Sequence, residues 1–154
     1  MLRPGTMVTA QCGINYRLET VAGLPCLVCE LLNGKRIHYM GAKVLPDRTD
    51  RFGYPVWTYW AYRKGQWRAI EPYGGQLVEN AVQGLARELL VDAMFRLEAR
   101  GFPVVMHCHD EVVVEHPDIG KETIEQIMSQ RPDWAEKLDV PVKVKAWVGK
   151  RYRK

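Results

Sequence analysis

Alternating apolar and polar positions dominate the first half of the chain. Asn33-Gly34 is a strong signal for a hairpin turn. The strand-like stretches after it, rich in β-branched and aromatic side chains, are residues 35–40, 56–62 and 66–70. We therefore predict an antiparallel sheet over residues 30–70. Its alternating aromatic residues are expected to pack against other parts of the protein rather than to stack on nucleic-acid bases.

A helical spacing replaces this alternation in the middle of the chain. The apolar stripe of a predicted helix over residues 76–100 consists of Val78, Val82, Leu85, Leu89 and Ala93, and Gly101 follows as a cap. A second face aligns Gln76, Asn80, Gln83 and Arg87. Amide groups both donate and accept hydrogen bonds, which suits base edges in a minor groove. A solvated face without a function is the simpler alternative.

Two apolar arms surround a polar cluster in the stretch Val104–Glu115, which predicts strand, turn and strand. The turn carries His109, Asp110 and Glu111 where hairpin chemistry favours glycine, and this conflict indicates a functional site. Two short helices, over 121–130 and 132–138, and a strand over 140–148 are predicted next. The expected fold class is α+β, with an antiparallel sheet packed against one long and two short helices, in a single domain over residues 1–154.

Charge and composition add little to this picture. The chain has 154 residues, a formal charge of +4 and a mildly basic pI of about 8.9. Its basic tail, Lys150-Arg151-Tyr152-Arg153-Lys154, suits a polyanion, but a solubilising tail is the simpler interpretation. With no apolar run near 18 residues and no signal peptide, we expect no membrane partner and a reducing cytoplasm. The four cysteines, including the Cys26–Cys29 CxxC, are then expected to be free thiols.

Two metal sites are compatible with the polar cluster. A zinc or iron site would use His107, His109 and Asp110, but their spacing does not meet the common HxHxD pattern. A Mg²⁺ site would use Asp110 and Glu111, since this hard cation keeps its waters and prefers carboxylate and phosphate oxygens.

Several motifs resemble family A DNA polymerases. The stretch Val104–Glu115 resembles the third polymerase motif (motif C) of the palm, and the helix with Asn80 and Gln83 resembles the helix that packs beside it. Likenesses to bacteriophage members in particular lie at residues 31–39, 73–75 and 149–153. The resemblance covers residues 25–154 and implies a partial palm.

The resemblance implies a role for each matching residue. Asp110 would bind the catalytic Mg²⁺ ions, Glu111 would share or tune that site, and His109 would approach the primer terminus. Asn80 and Gln83 would contact the primer–template duplex from its minor-groove side. The implied partners are primer–template DNA and dNTP. The expected DNA-binding surface also includes Gln76, Arg87, Lys150 and Arg151.

This chain also departs from the family. The first carboxylate motif and the fingers helix have no counterpart in it, and a thumb and a proofreading domain would not fit in its length. We therefore expect half of a two-metal site, inactive alone, in a chain that needs a complementing polymerase chain or is a remnant gene product. The alternative is a non-catalytic DNA-binding module. We expect the host cytoplasm as the location if the gene is viral, and self-association if the fragment exposes apolar surface.

Overall fold

A computed structural model describes residues 5–118, 120–136 and 138–152. They form two antiparallel sheets, one long helix and two short helices, which confirms the predicted α+β class. Contacts between residues divide the chain into two compact units, the first ending at Gly84 and the second beginning at Leu85. The single domain over residues 1–154 stays a prediction. In the described part of the chain, no helix is long and apolar enough to span a membrane.

The first unit contains a six-stranded sheet in which each strand pairs with the next along the chain. Its strands are β1 (Met7–Thr9), β2 (Asn15–Val21), β3 (Leu24–Glu30), β4 (Arg36–Thr49), β5 (Pro55–Arg63) and β6 (Gln66–Ile70). Tight turns join most of them, and Gly34 and Gly65 adopt the positive φ angles that these turns require. The sheet predicted over residues 30–70 is confirmed, and it extends back to Met7.

One face of this sheet carries an aromatic cluster. Tyr39 lies edge-on to both Trp57 and Tyr59, with ring centroids 6.1 and 5.1 Å apart. The first part of helix α1 (Gln76–Glu98) approaches the sheet closely, since a Cβ atom on Gly84 would lie 2.9 Å from Leu31 Cδ1. For these three aromatic residues, the prediction that they pack is confirmed.

Two buried thiols lie in the middle of the sheet. Cys26 and Cys29 of β3 are fully buried, and both are free thiols as predicted. Being three residues apart on a strand, they point to opposite faces of the sheet. Burial raises the pKa of both thiols above the usual value.

The rotation of helix α1 differs from the prediction. Leu85 and Ala93 are buried as expected, but Val78 and Val82 are exposed. The side chains of Ala81 and Leu97 are buried instead. At the start of the helix, the predicted apolar stripe is therefore displaced by about one position from the buried face. The small residues on the buried face allow a closer approach to the sheet than valines would.

The second unit is built around the end of α1. Its core consists of Ala93, Leu97, Ile127 and Met128. A hairpin of β7 (Val104–Cys108) and β8 (Glu111–Val114) and helix α2 (Lys121–Met128) contribute the surrounding side chains, and α3 (Asp133–Glu136) follows. Arg96 pairs with Asp92 and donates hydrogen bonds to the carbonyl oxygens of Ile127 at 3.2 Å and Gln130 at 2.7 Å. This arginine ties α1 to the end of α2.

The strand predicted over residues 140–148 is wrong. Half-buried and exposed positions alternate there, but these residues pair with no strand in the described part of the chain. The backbone N–H of Ala146 instead donates to Glu125 Oε1 at 2.8 Å, and Val144 packs against the core. Alternating apolar and polar residues indicate that one side of the segment is buried. A β-strand also needs a neighbouring strand with which its backbone can form hydrogen bonds.

Candidate functional site

The hairpin of β7 and β8 presents the predicted acidic residues at its tip. Cys108 pairs with Glu111, so His109 and Asp110 form a two-residue turn. His109 has a φ of +55°, a left-handed conformation that costs a residue with a Cβ atom about 1–2 kcal/mol. A glycine would adopt this angle without that cost. Ala22 and Lys64 have the same conformation in two other hairpin turns, so what distinguishes the turn at His109 is the pair of acidic residues beside it.

The two carboxylates are exposed and differ in their contacts. Asp110 lies in the turn, whereas Glu111 opens β8 and accepts a hydrogen bond from the Tyr152 hydroxyl, O to Oε2, at 2.7 Å. This hydrogen bond raises the pKa of Tyr152 to about 12, because it stabilises the protonated phenol, and the negative charge of Glu111 adds to the effect. One carboxylate oxygen of Glu111 is therefore oriented by Tyr152, a residue of the basic tail to which the sequence analysis gave no role at the hairpin.

The carboxylates at the hairpin tip could supply some of the ligands of a metal site. Among the residues that the structure describes, no three His, Cys, Asp or Glu side chains come together as a metal-binding group. The zinc hypothesis needs three or four such ligands and gains no support from this part of the chain. Asp110 and Glu111 offer two adjacent oxygen ligands, and Mg²⁺ commonly takes one or two carboxylates, with water and phosphate oxygens as its other ligands.

The predicted amide face of α1 is split into two parts. Gln76 Nε2 donates a hydrogen bond to the Tyr59 hydroxyl at 3.2 Å, and Asn80 Nδ2 donates to the Tyr39 hydroxyl at 3.0 Å. Both amides are half-buried. Gln83 is exposed and donates to Glu79 at 3.3 Å, and Arg87 is exposed as well. Thus one part of the face is fixed to the sheet and the other part faces solvent.

The bond between Asn80 and Tyr39 is expected to contribute to stability in the absence of DNA. Asn80→Ala and Tyr39→Phe should each lower the free energy of unfolding by about 1 kcal/mol, because each removes the hydrogen bond between the half-buried Asn80 amide and the hydroxyl of the buried Tyr39. Urea denaturation of both variants and the double variant measures the coupling. The exposed Gln83→Ala is the control and should change stability by less than about 0.5 kcal/mol. Fully additive effects of Asn80→Ala and Tyr39→Phe would contradict a stabilising bond.

Lys150 and Arg151, the remaining predicted DNA-binding residues, are both exposed. They precede Tyr152, the residue that contacts Glu111. Arg153 and Lys154 of the predicted basic tail lie outside the described residues.

Comparison with known proteins gives two matches. The DNA polymerase of Bacillus phage SP02 is 37% identical over 151 residues, which cover 96% of this chain. This chain resembles one segment of a phage DNA polymerase. The resemblance to a phage polymerase that the sequence motifs predicted is thereby confirmed. The DNA polymerase theta of Drosophila melanogaster is 28% identical over 90 residues, or 50% of this chain.

Both matches cover only a small part of the larger proteins. The chain spans 22% of the length of the phage polymerase and 4% of that of polymerase theta. No protein-family model matches the sequence, and no solved structure matches it.

Proposed function

We propose that this chain is a palm segment of a family A DNA polymerase and supplies Asp110 and Glu111 to a Mg²⁺-dependent nucleotidyl-transfer site. One observation carries the proposal. Two adjacent, exposed carboxylates lie at a tight hairpin tip, beside a histidine with positive φ, in a chain that is 37% identical to a phage DNA polymerase.

The three residues at the hairpin tip have different roles in this proposal. Asp110 holds the metal directly, and the hydrogen bond from Tyr152 orients Glu111 beside it. His109 faces the primer terminus from the turn. When bound, a pair of Mg²⁺ ions neutralises the charge that develops on the attacking and leaving oxygens.

DNA binding is assigned first to the exposed part of the helix face. The exposed Gln83 and Arg87 would meet the primer–template duplex, and the exposed cations of Lys150 and Arg151 would meet phosphates. Gln76 and Asn80 support the surface through their tyrosine partners, and each reaches DNA only through amide groups that its tyrosine bond leaves unused.

The site is half of a two-metal site. The chain has no counterpart of the other metal-binding aspartate, so catalysis requires a further polymerase segment to supply it together with the groups that hold dNTP. The coverage of only 22% of the phage polymerase is in keeping with this requirement. We place the activity in the host cytoplasm, where a phage polymerase works.

A chimeric enzyme tests the proposal. This chain replaces the matched segment of the phage SP02 polymerase, and primer extension is measured with Mg²⁺ and nucleotides. The chimera is expected to extend the primer, while the isolated chain is expected to give no extension. Robust synthesis by the isolated chain would refute the half-site. A folded chimera that binds primer–template without extending it would favour a non-catalytic DNA-binding module.

A further inference from the structure

Three aromatic side chains lie exposed on one face of β5 and β6. Trp60 is 49% exposed, Tyr62 62% and Trp67 63%. Tyr62 lies opposite Trp67 and Trp60 lies opposite Ala69, so all three rings are on the same face. This is the opposite face from Tyr59, whose hydroxyl bonds to α1. The sequence predicts that the aromatic residues of this sheet pack against other parts of the protein. These three exposed residues do not follow that prediction.

The rings are held in place although they are exposed. The Tyr62 and Trp67 rings meet at an angle of 64°, with centroids 5.6 Å apart. A Cβ atom on Gly41 would overlap Cδ1 of Trp60, so the indole edge occupies space that only a glycine leaves open. Gly41 has a φ of +63° and lies at the irregularity of β4 between Met40 and Lys43. The sheet thus positions the Trp60 indole in advance of any ligand.

Positive charge is concentrated around the same strands. Residues 36–70 contain two acidic side chains, Asp47 and Asp50, and seven basic ones: Arg36, Lys43, Arg48, Arg51, Arg63, Lys64 and Arg68. Two of these seven, Arg36 and Arg48, pair with Glu30 and Glu71, which lie just outside this range. Lys43 lies opposite Thr58, on the face of the three rings. Within the described residues, Lys43, Arg63 and Lys64 have no acidic partner.

We propose that the face formed by Trp60, Tyr62 and Trp67 binds single-stranded DNA. Unpaired bases would stack on the exposed rings, and the backbone phosphates would meet Lys43 on the same face and Lys64 in the turn between β5 and β6. Single-strand binding surfaces generally combine aromatic platforms with basic grooves. A duplex is a poor ligand for this face because its bases are already stacked on each other. The choice of DNA over RNA rests on the proposed polymerase function.

The charge pattern favours a polyanion over a protein partner. A polypeptide covering the rings would have to bury or neutralise Lys43 and Lys64, which have no acidic partner among the described residues, at a cost in desolvation. A single strand neutralises the same cations with its phosphates and releases its condensed counterions.

Fluorescence anisotropy with a labelled oligothymidylate of about 12 nucleotides, within the usual range of single-strand sites, tests the proposal. The assay contains no primer, nucleotide or Mg²⁺. Trp60→Ala and Trp67→Ala should each weaken binding about tenfold, and Trp67→Phe should retain most of it because the ring remains. Lys43→Gln should reduce the slope of log K against log salt by about 0.7. Phe95→Ala, which truncates an exposed ring in the second unit, should leave binding unchanged.

Several results would overturn the proposal. They are a wild-type chain that does not bind the oligonucleotide, alanine variants that bind as well as wild type, and a folded Trp67→Phe variant as weak as Trp67→Ala. Thermal unfolding identifies any variant that fails to fold. If the alanine variants fail, the milder substitutions Lys43→Gln and Trp67→Phe still test the proposal. A chimera that fails to extend a primer leaves this assay unaffected, so the failures of the two proposals are distinguishable.

Discussion

Asp110→Asn is expected to lower primer extension by the chimeric polymerase at least about 1,000-fold. The substitution keeps the size of the side chain and removes the negative charge that would hold Mg²⁺. Phosphoryl transfer depends on positioning and on charge neutralisation, so loss of one metal ligand removes about 4 kcal/mol of transition-state stabilisation. Single-turnover extension at saturating primer–template separates this effect from weaker DNA binding.

A matched control exists in the same unit. Asp118 is exposed, like Asp110, but lies in the loop before α2 and outside the hairpin. Because Asp118 lies outside the hairpin, Asp118→Asn should leave the extension rate within about twofold of the parent rate. A twofold change corresponds to less than about 0.5 kcal/mol in the activation free energy. An Asp110→Asn chimera that extends within tenfold of the parent rate would exclude Asp110 as a metal ligand.

Leu97→Ala is expected to lower the free energy of unfolding of the second unit by about 3 kcal/mol. Leu97 is fully buried and lies in the core cluster with Ala93, Ile127 and Met128. Truncation removes three buried carbon atoms and leaves a cavity that the surrounding helices fill only in part. The loss should appear in urea denaturation as a lower midpoint at an unchanged slope.

Phe95 provides the comparison on the same helix. It is 70% exposed, so Phe95→Ala should change the free energy of unfolding by less than about 0.5 kcal/mol. Equal effects of the two substitutions would mean that the helix side facing the core is assigned incorrectly.

Features of the fold that depend on near neighbours in the sequence were predictable. Alternation in β4 to β6 and the turn at Asn33-Gly34 define local pairing, and the structure contains that sheet. The rotation of α1 was not predictable, because valine at positions 78 and 82 satisfies a helical stripe whichever side faces the sheet. Ala81 and Gly84 decide the rotation by allowing close contact, and that requires knowledge of the surface opposite them.

In the candidate site, too, contacts between near neighbours in the sequence were predictable and contacts between distant residues were not. His109, Asp110 and Glu111 are consecutive, so the sequence alone identified the hairpin tip that carries them. Tyr152 lies 41 residues from Glu111, and no periodic pattern connects them. Tyr39 is likewise 41 residues from Asn80. These partners became visible only when the tertiary structure brought them together.

The two thiols of β3 have a practical consequence for labelling chemistry. Maleimides react with thiolates, and burial both shields Cys26 and Cys29 and keeps them protonated at neutral pH. The remaining thiol of the first unit, Cys12, is exposed in the turn between β1 and β2. Brief alkylation therefore attaches a dye to the first unit at Cys12 without removing any natural cysteine from the sheet.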